Sequence, residues 1–118
     1  MSQPTFAPFR LVAYTDEVHS ITVALLDPDG TASSTVGSAS SLGVYVETEG
    51  GDNVDSILEG VTVGGTDSNE VTFTLTSTIT DSARRLVVSI REQASPYTVY
   101  GIGVLDVLDA PGGTVAVP

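Results

Sequence analysis

"EVTFTLTST", residues 70–78, sets apolar Val71, Phe73 and Leu75 strictly alternate with Thr72, Thr74 and Thr76. On an extended strand successive side chains point to opposite faces. Three apolar residues therefore share one side and three hydroxyls the other, which predicts a sheet with one buried and one solvated face.

Working outward from that strand, the same two-residue period recurs. Leu86, Val88 and Ile90 alternate in "LVVSIRE" (86–92), Leu42, Val44 and Val46 in "LGVYVETE" (42–49), and Ile21, Val23 and Leu25 in "HSITVALL" (19–26). "FRLVAY" (9–14) sets Phe9, Leu11 and Ala13 against Arg10, Val12 and Tyr14, and "ILEGVTV" (57–63) reads as a further strand bent near Gly60. Turn chemistry separates these runs: "DPDG" (27–30) pre-sets φ at Pro28 and offers Gly30 for positive φ, and "GGDN" and "QASP" punctuate later. "TASSTVGSASS" (31–41) has too little apolar matter to anchor itself and reads as a mobile excursion or an edge. In "NVDSILEG" (53–60), Val54, Ile57 and Leu58 also fit the spacing of one helical turn. About seven short strands with no long helix predict an all-β fold, an antiparallel β-sandwich of immunoglobulin-like size, with a small barrel as the competing architecture.

The last strand, "YTVYGIGVLDVL" (97–108), is apolar on both faces. Gly101 and Gly103 thin out one of them, so large side chains of the opposite sheet can fill that space and make it the core side. Tyr100, Ile102 and Val104 are then expected to point outward as a contact surface for a partner, unless the 31–41 loop or the C-terminal arm covers them.

A chain of 118 residues suits one domain with one core, here 1–118 with short arms at 1–8 and 110–118. No apolar run reaches the length of about 20 residues that a membrane helix needs. "MSQPTFAPFR" lacks a signal peptide's basic start and apolar core, so use without Sec export is expected. There is no cysteine, which removes disulfides, zinc-thiolate sites and thiol nucleophiles together. The formal charge is −11, and the four basic residues, Arg10, Arg84, Arg85 and Arg91, include no lysine. Such a field repels phosphate backbones and anionic membranes, so neither nucleic acid nor membrane is an expected partner. An acidic, lysine-free surface resembles proteins of halophilic archaea and their viruses, whose self-repulsion is screened when the Debye length falls to roughly 3 Å at 1 M salt.

Catalytic signatures are weak. His19 is the lone histidine, has no nucleophile elbow beside it, and reads as a solvated loop residue in "TDEVHS". Asp106 lies within an apolar strand; an exposed strand end is the simpler reading, and Arg84, Arg85 or Arg91 is a partner for it if it is buried. Asp27, Asp29, Glu49, Asp52, Asn53 and Asp55 offer hard oxygen ligands of the kind calcium takes, without the spacing of an EF-hand loop. Turns of an acidic chain carry such residues by default, so no metal, cofactor or catalytic residue is assigned.

"SITVALLDPDG", "EVTFTLTSTITD" and "RRLVVSIREQASPYTVYGIGVLDVLDAP" follow one another in an order that resembles the immunoglobulin-like domains of tailed-virus particles. Notable among them are the N-terminal domain of baseplate upper proteins and related head-decorating domains, and the likeness covers about Val12 to Ala110. The resemblance implies a non-enzymatic virion protein of a haloarchaeal tailed virus. A capsid decoration or cement protein that binds neighbouring capsid or tail subunits, homo-oligomeric in the particle, is the leading form. A tail or baseplate accessory and a halophilic cell-surface or adhesin module are the alternatives.

Overall fold

Val71 and Phe73 are buried while Thr74 is exposed and Thr72 half-buried in a strand at the centre of the smaller sheet, and Leu75, just past its end, is buried with them. The computed structural model describes residues 7–16, 20–95 and 97–109. These form strands β1 (Phe9–Tyr14), β2 (Ser20–Ala24), β3 (Leu42–Thr48), β4 (Asn53–Ile57), β5 (Thr62–Gly64), β6 (Glu70–Thr74), β7 (Arg84–Glu92) and β8 (Val99–Leu108). Among the described residues the helical content is one 3-10 turn, Val36–Ser38.

The strands make two sheets, a five-stranded one in the order β1-β8-β7-β3-β4 and a three-stranded one in the order β2-β6-β5. Every pairing is antiparallel except β1 with β8, which is parallel and corrects the expectation of a wholly antiparallel fold. A parallel pair needs a long connection. Here the rest of the domain supplies it, since β1 and β8 are the first and last strands.

Between the sheets lies one hydrophobic cluster. Val44, Val46, Leu86, Val88, Ile90 and Leu105 of the larger sheet meet Val23, Val71 and Phe73 of the smaller, and Leu25, Leu75 and Ile79 close the ends. Burying each such side chain fully stabilises the fold by roughly 1.5–3 kcal/mol. Gly101 and Gly103 lie on this core side, as expected, although only one is filled from the opposite sheet's connection. A Cβ on Gly101 would stand 2.8 Å from Leu25 Cδ2, whereas one on Gly103 would overlap the carbonyl and ring of Phe9 on the neighbouring strand.

Three local expectations are corrected. The 57–63 run is two strands in different sheets, because Gly60 takes a positive φ of 73° and turns the chain from one layer to the other. Residues 53–57 are strand rather than helical turn, since pairing with β3 outweighs the local spacing. The 31–41 loop is anchored: Val36 is fully buried, Ser33 N–H donates to the Leu25 carbonyl at 2.9 Å, and Leu26 bridges Ala32. One apolar side chain and a short backbone ladder suffice where small polar residues add no bulk.

"DPDG" turns as predicted. Gly30, at φ 90°, donates to the Asp27 carbonyl, and the Asp29 carboxylate accepts from both the amide and the hydroxyl of Thr31 at 3.0 and 2.6 Å. Of the N-terminal arm, Ala7 N–H bonds to the Leu26 carbonyl; residues 1–6, His19 and the C-terminal arm 110–118 lie outside the described residues.

Candidate functional site

The outward face of the five-stranded sheet is where the sequence-predicted contact surface falls. Register sets Ile102, Ser89 and Tyr45 in one row across β8, β7 and β3, and Arg10, Val104, Val87 and Glu47 in the next across β1, β8, β7 and β3. A third row holds Val12, Asp106 and Arg85. Ile102 is 38% exposed, Val12 and Leu108 more so, and Val104 is half-buried.

Tyr100 departs from this face and corrects the expectation that it points outward. Between Ile90 and Arg91 the β7–β8 register slips: Ile90 pairs with Gly101 and Arg91 with Val99, so Tyr100 is an extra residue in a β-bulge. Alternation fails at a bulge. The ring turns into the core cluster at 8% exposure, and its hydroxyl donates to Glu92 Oε2 at 2.7 Å. The Glu92 carboxylate also accepts the amides of Ser40 and Ser41, each at 3.0 Å, so the end of the 31–41 loop is tied to β7 beside Tyr100. Ser40, Ser41, Glu92, Ala94, Ser95 and Thr98 line a shallow hollow of about 230 Å³ beside that junction.

These bonds shift both groups. The Tyr100 hydroxyl and the two serine amides hold Glu92 below its ordinary carboxylate pKa. Burial, aided by Glu92, pushes the Tyr100 phenol up to about 12. A folded-state pKa above the unfolded value of about 10 means a stabilising contribution that is complete below pH about 10 and lost as pH rises towards 12. We expect the urea midpoint to fall over that interval, and Tyr100→Phe to remove part of the fall. An unchanged pH slope in Tyr100→Phe would place the phenol in solvent.

At the other end of the face Asp106 is buried, against the expectation of an exposed strand end. Arg85 Nε donates to its Oδ1 at 2.7 Å and Arg85 NH2 to Oδ2 at 3.1 Å, while Arg10 approaches Oδ2 from β1 at 2.8 Å. Of the three arginines considered from sequence only Arg85 is a partner. Arg10, 96 positions away, joins through the parallel β1–β8 pairing, a contact with no local signal. The hydrogen bond from Arg85 outweighs burial and, with Arg10, keeps the Asp106 carboxyl below its usual range. Its stabilising share is present above the ordinary carboxylate pKa near 4 and is lost as pH falls below that. Asp106→Asn should therefore lower stability at pH 7 and flatten the acid limb of the pH–stability curve; an acid limb identical to wild type would contradict the pairing.

Arg91 is held differently. Its guanidinium lies 3.9 Å from the Tyr45 ring centroid and 5.0 Å from that of Tyr97, and it makes no ion pair among the described residues. Tyr45 can lie flat beneath it because residue 43 is glycine: a Cβ there would stand 2.9 Å from the ring. Stacking over two aromatic faces leaves guanidinium N–H donors available while fixing the side chain. Three of the four basic residues thus share one face, with Glu47 and Asp106 on it, and the Asp106 hydrogen bond and charge, with a small addition from Glu49, raise the Arg85 pKa.

The acidic turns do not converge: among the described residues no group of three or more His, Asp or Glu side chains is placed to hold a metal ion. No helix among them is long and apolar enough to cross a membrane.

No protein-family model matches the chain, and no curated protein matches it in sequence. Among solved structures it is similar to a nucleoside hydrolase-related hypothetical protein from Saccharophagus degradans, described as associated with carbohydrate metabolism, with 20% identity and a TM-score of 0.30. That alignment covers 86% of this chain and 22% of the other, so this chain spans about a fifth of that protein's length. At this score the likeness carries no argument about fold or activity.

Proposed function

We propose that the chain is a non-enzymatic binding module of a tailed-virus particle, a capsid decoration or cement protein, with a tail or baseplate accessory as the nearest variant. An immunoglobulin-like fold is part of this reading. On this reading β2-β6-β5 would be strands B, E and D of that fold and β8-β7-β3-β4 strands G, F, C and C′, while β1 lies beside β8 rather than in the B-E-D sheet where strand A of that fold belongs.

The observation that carries the function is the outward face of the larger sheet. It combines exposed Ile102 and Val12, half-buried Val104 and a tyrosine-clamped Arg91 on a chain of charge −11. Tyrosine and arginine beside apolar side chains are the residue types enriched at the energetic centres of protein interfaces. Buried apolar area, at about 25 cal/mol per Å², supplies the attraction, and that contribution persists when salt screens charge.

The test adds purified chain to particles that lack it, at about 0.15 and 1 M salt, and follows co-sedimentation. Saturable binding at both salts is expected, with at least a tenfold loss on Ile102→Asp. A wild-type chain that stays in the supernatant at both salts overturns the proposal.

A further inference from the structure

We propose that residues 114–117, "TVAV", add to the open edge of β1 as a further strand, antiparallel to it and supplied by the same molecule. The inference concerns the edge of the larger sheet and stands apart from the particle-binding reading of its face. β1 ends that sheet, and among the described residues no strand pairs with its other edge. Thr15 N–H donates to the Leu108 carbonyl at 2.8 Å, so the odd-numbered residues of β1 turn their backbone groups towards β8. The N–H and C=O of Arg10 and Val12 therefore point out of the sheet. A row of such groups is a template for one more strand.

Side chains along β1 are also incompletely covered. Phe9, Leu11 and Ala13 all face the core, yet Ala13 is buried while Phe9 and Leu11 are half-buried, and Val12 on the opposite face is 46% exposed. One added strand lies against both faces at once.

The segment that fills the edge is selected by where β8 stops. Tyr14 pairs with Leu108, so the chain leaves β8 level with the end of β1. Crossing β1 to its outer edge takes two strand spacings, about 10 Å, and residues 109–113 span up to about 16 Å when extended. Pro111, Gly112 and Gly113 provide turn chemistry for the reversal, and β-branched Thr114, Val115 and Val117 follow. From Ala110 to Pro118 no side chain is charged, so in a chain of net charge −11 this segment meets the sheet without self-repulsion. The segment before β1 is directed elsewhere, since Ala7 N–H bonds to the Leu26 carbonyl beyond β2. So short a tether gives an effective concentration in the millimolar range, which favours the molecule's own strand over one from solution.

Register follows from the uncovered leucine. With Val12 opposite Ala116, Val117 falls beside Leu11 and Val115 beside Ala13 on the core side. Val12 and Ala116 then exchange both backbone hydrogen bonds, while the amides of Val115 and Val117 point away.

Amide hydrogen exchange of the full chain, read by NMR, tests this. Relative to their unstructured rates, Val12 and Ala116 are expected to be slowed at least about tenfold more than Val115 and Val117. Ala116→Pro removes one donor from outside the described strands, and Val117→Asp puts a carboxylate beside Leu11. Each should return the Val12 amide to fast exchange and leave the circular dichroism of the domain in place. Fast exchange at Val12 and Ala116 in wild type overturns the proposal, and so does a Val12 amide equally slowed in wild type and Ala116→Pro. A Val12–Ala116 nuclear Overhauser contact found only between differently labelled chains in a mixed sample gives the edge to another copy's segment and overturns the intramolecular closure. None of these outcomes bears on co-sedimentation with particles, which reads the outward face through Ile102→Asp.

Discussion

Gly103→Ala is expected to lower the unfolding midpoint by about 4–12 °C, the shift that an overpacking cost of about 1–3 kcal/mol produces in a domain of this size. Gly103 is paired with Phe9 along the parallel β1–β8 edge, and an added Cβ meets the Phe9 carbonyl as well as its ring. Backbone cannot swing aside as a side-chain tip can, so relief requires β1 to lift. Lifting β1 also withdraws Arg10 from Asp106, which couples the glycine to the ion-pair cluster three positions along β8. Gly101→Ala is the internal control: its nearest neighbour is Leu25 Cδ2, the end of a flexible side chain, and a smaller loss is expected. Equal melting of wild type and Gly103→Ala would mean that β1 is not seated against β8.

Tyr100→Asp should leave the chain unfolded at room temperature, a loss of about 4 kcal/mol or more, the range reached when an unpaired charge enters a core. The new carboxylate would sit where the ring now packs and would face Glu92, whose phenolic donor has been removed. Tyr100→Phe keeps the packing and removes one of the two donors to Glu92 Oε2, the Ser40 amide remaining, so the loss of one hydrogen bond to a charged group, about 1.5–3 kcal/mol, is expected. Ile102→Asp, two residues on and 38% exposed, should change stability by less than about 1 kcal/mol. Urea unfolding followed by circular dichroism separates the three. A folded Tyr100→Asp, or an unfolded Ile102→Asp, would reverse the faces assigned to β8.

The contrast between Tyr100 and Ile102 marks how far alternation could be followed. From Ile102 to Asp106 the two-residue period holds, and the core side was readable from the two glycines alone. At Tyr100 it breaks because β8 holds one residue more than β7 can pair, and a surplus residue is a property of two strands together. The same reason hid Arg10 as a partner of Asp106. Arg85 belongs to the adjacent strand, but Arg10 arrives from the far end of the chain through a parallel pairing that no local pattern announces. The 31–41 loop was misjudged for a related cause: a single buried Val36 and two serine amides on Glu92 anchor it, and both depend on where other segments lie.

Local chemistry was decisive wherever one segment acts alone. Strand against turn, the buried side of β6, β7 and β3, the turn at 27–30 and the all-β class follow from side-chain period and from backbone freedom at glycine and proline, which act within a few residues. Sheet order, the parallel edge, the bulge at Tyr100 and the gathering of Arg10, Arg85 and Arg91 on one face were decided by tertiary structure. Register between distant strands is set by how both sheets fill a common core, and that depends on all of the strands at once.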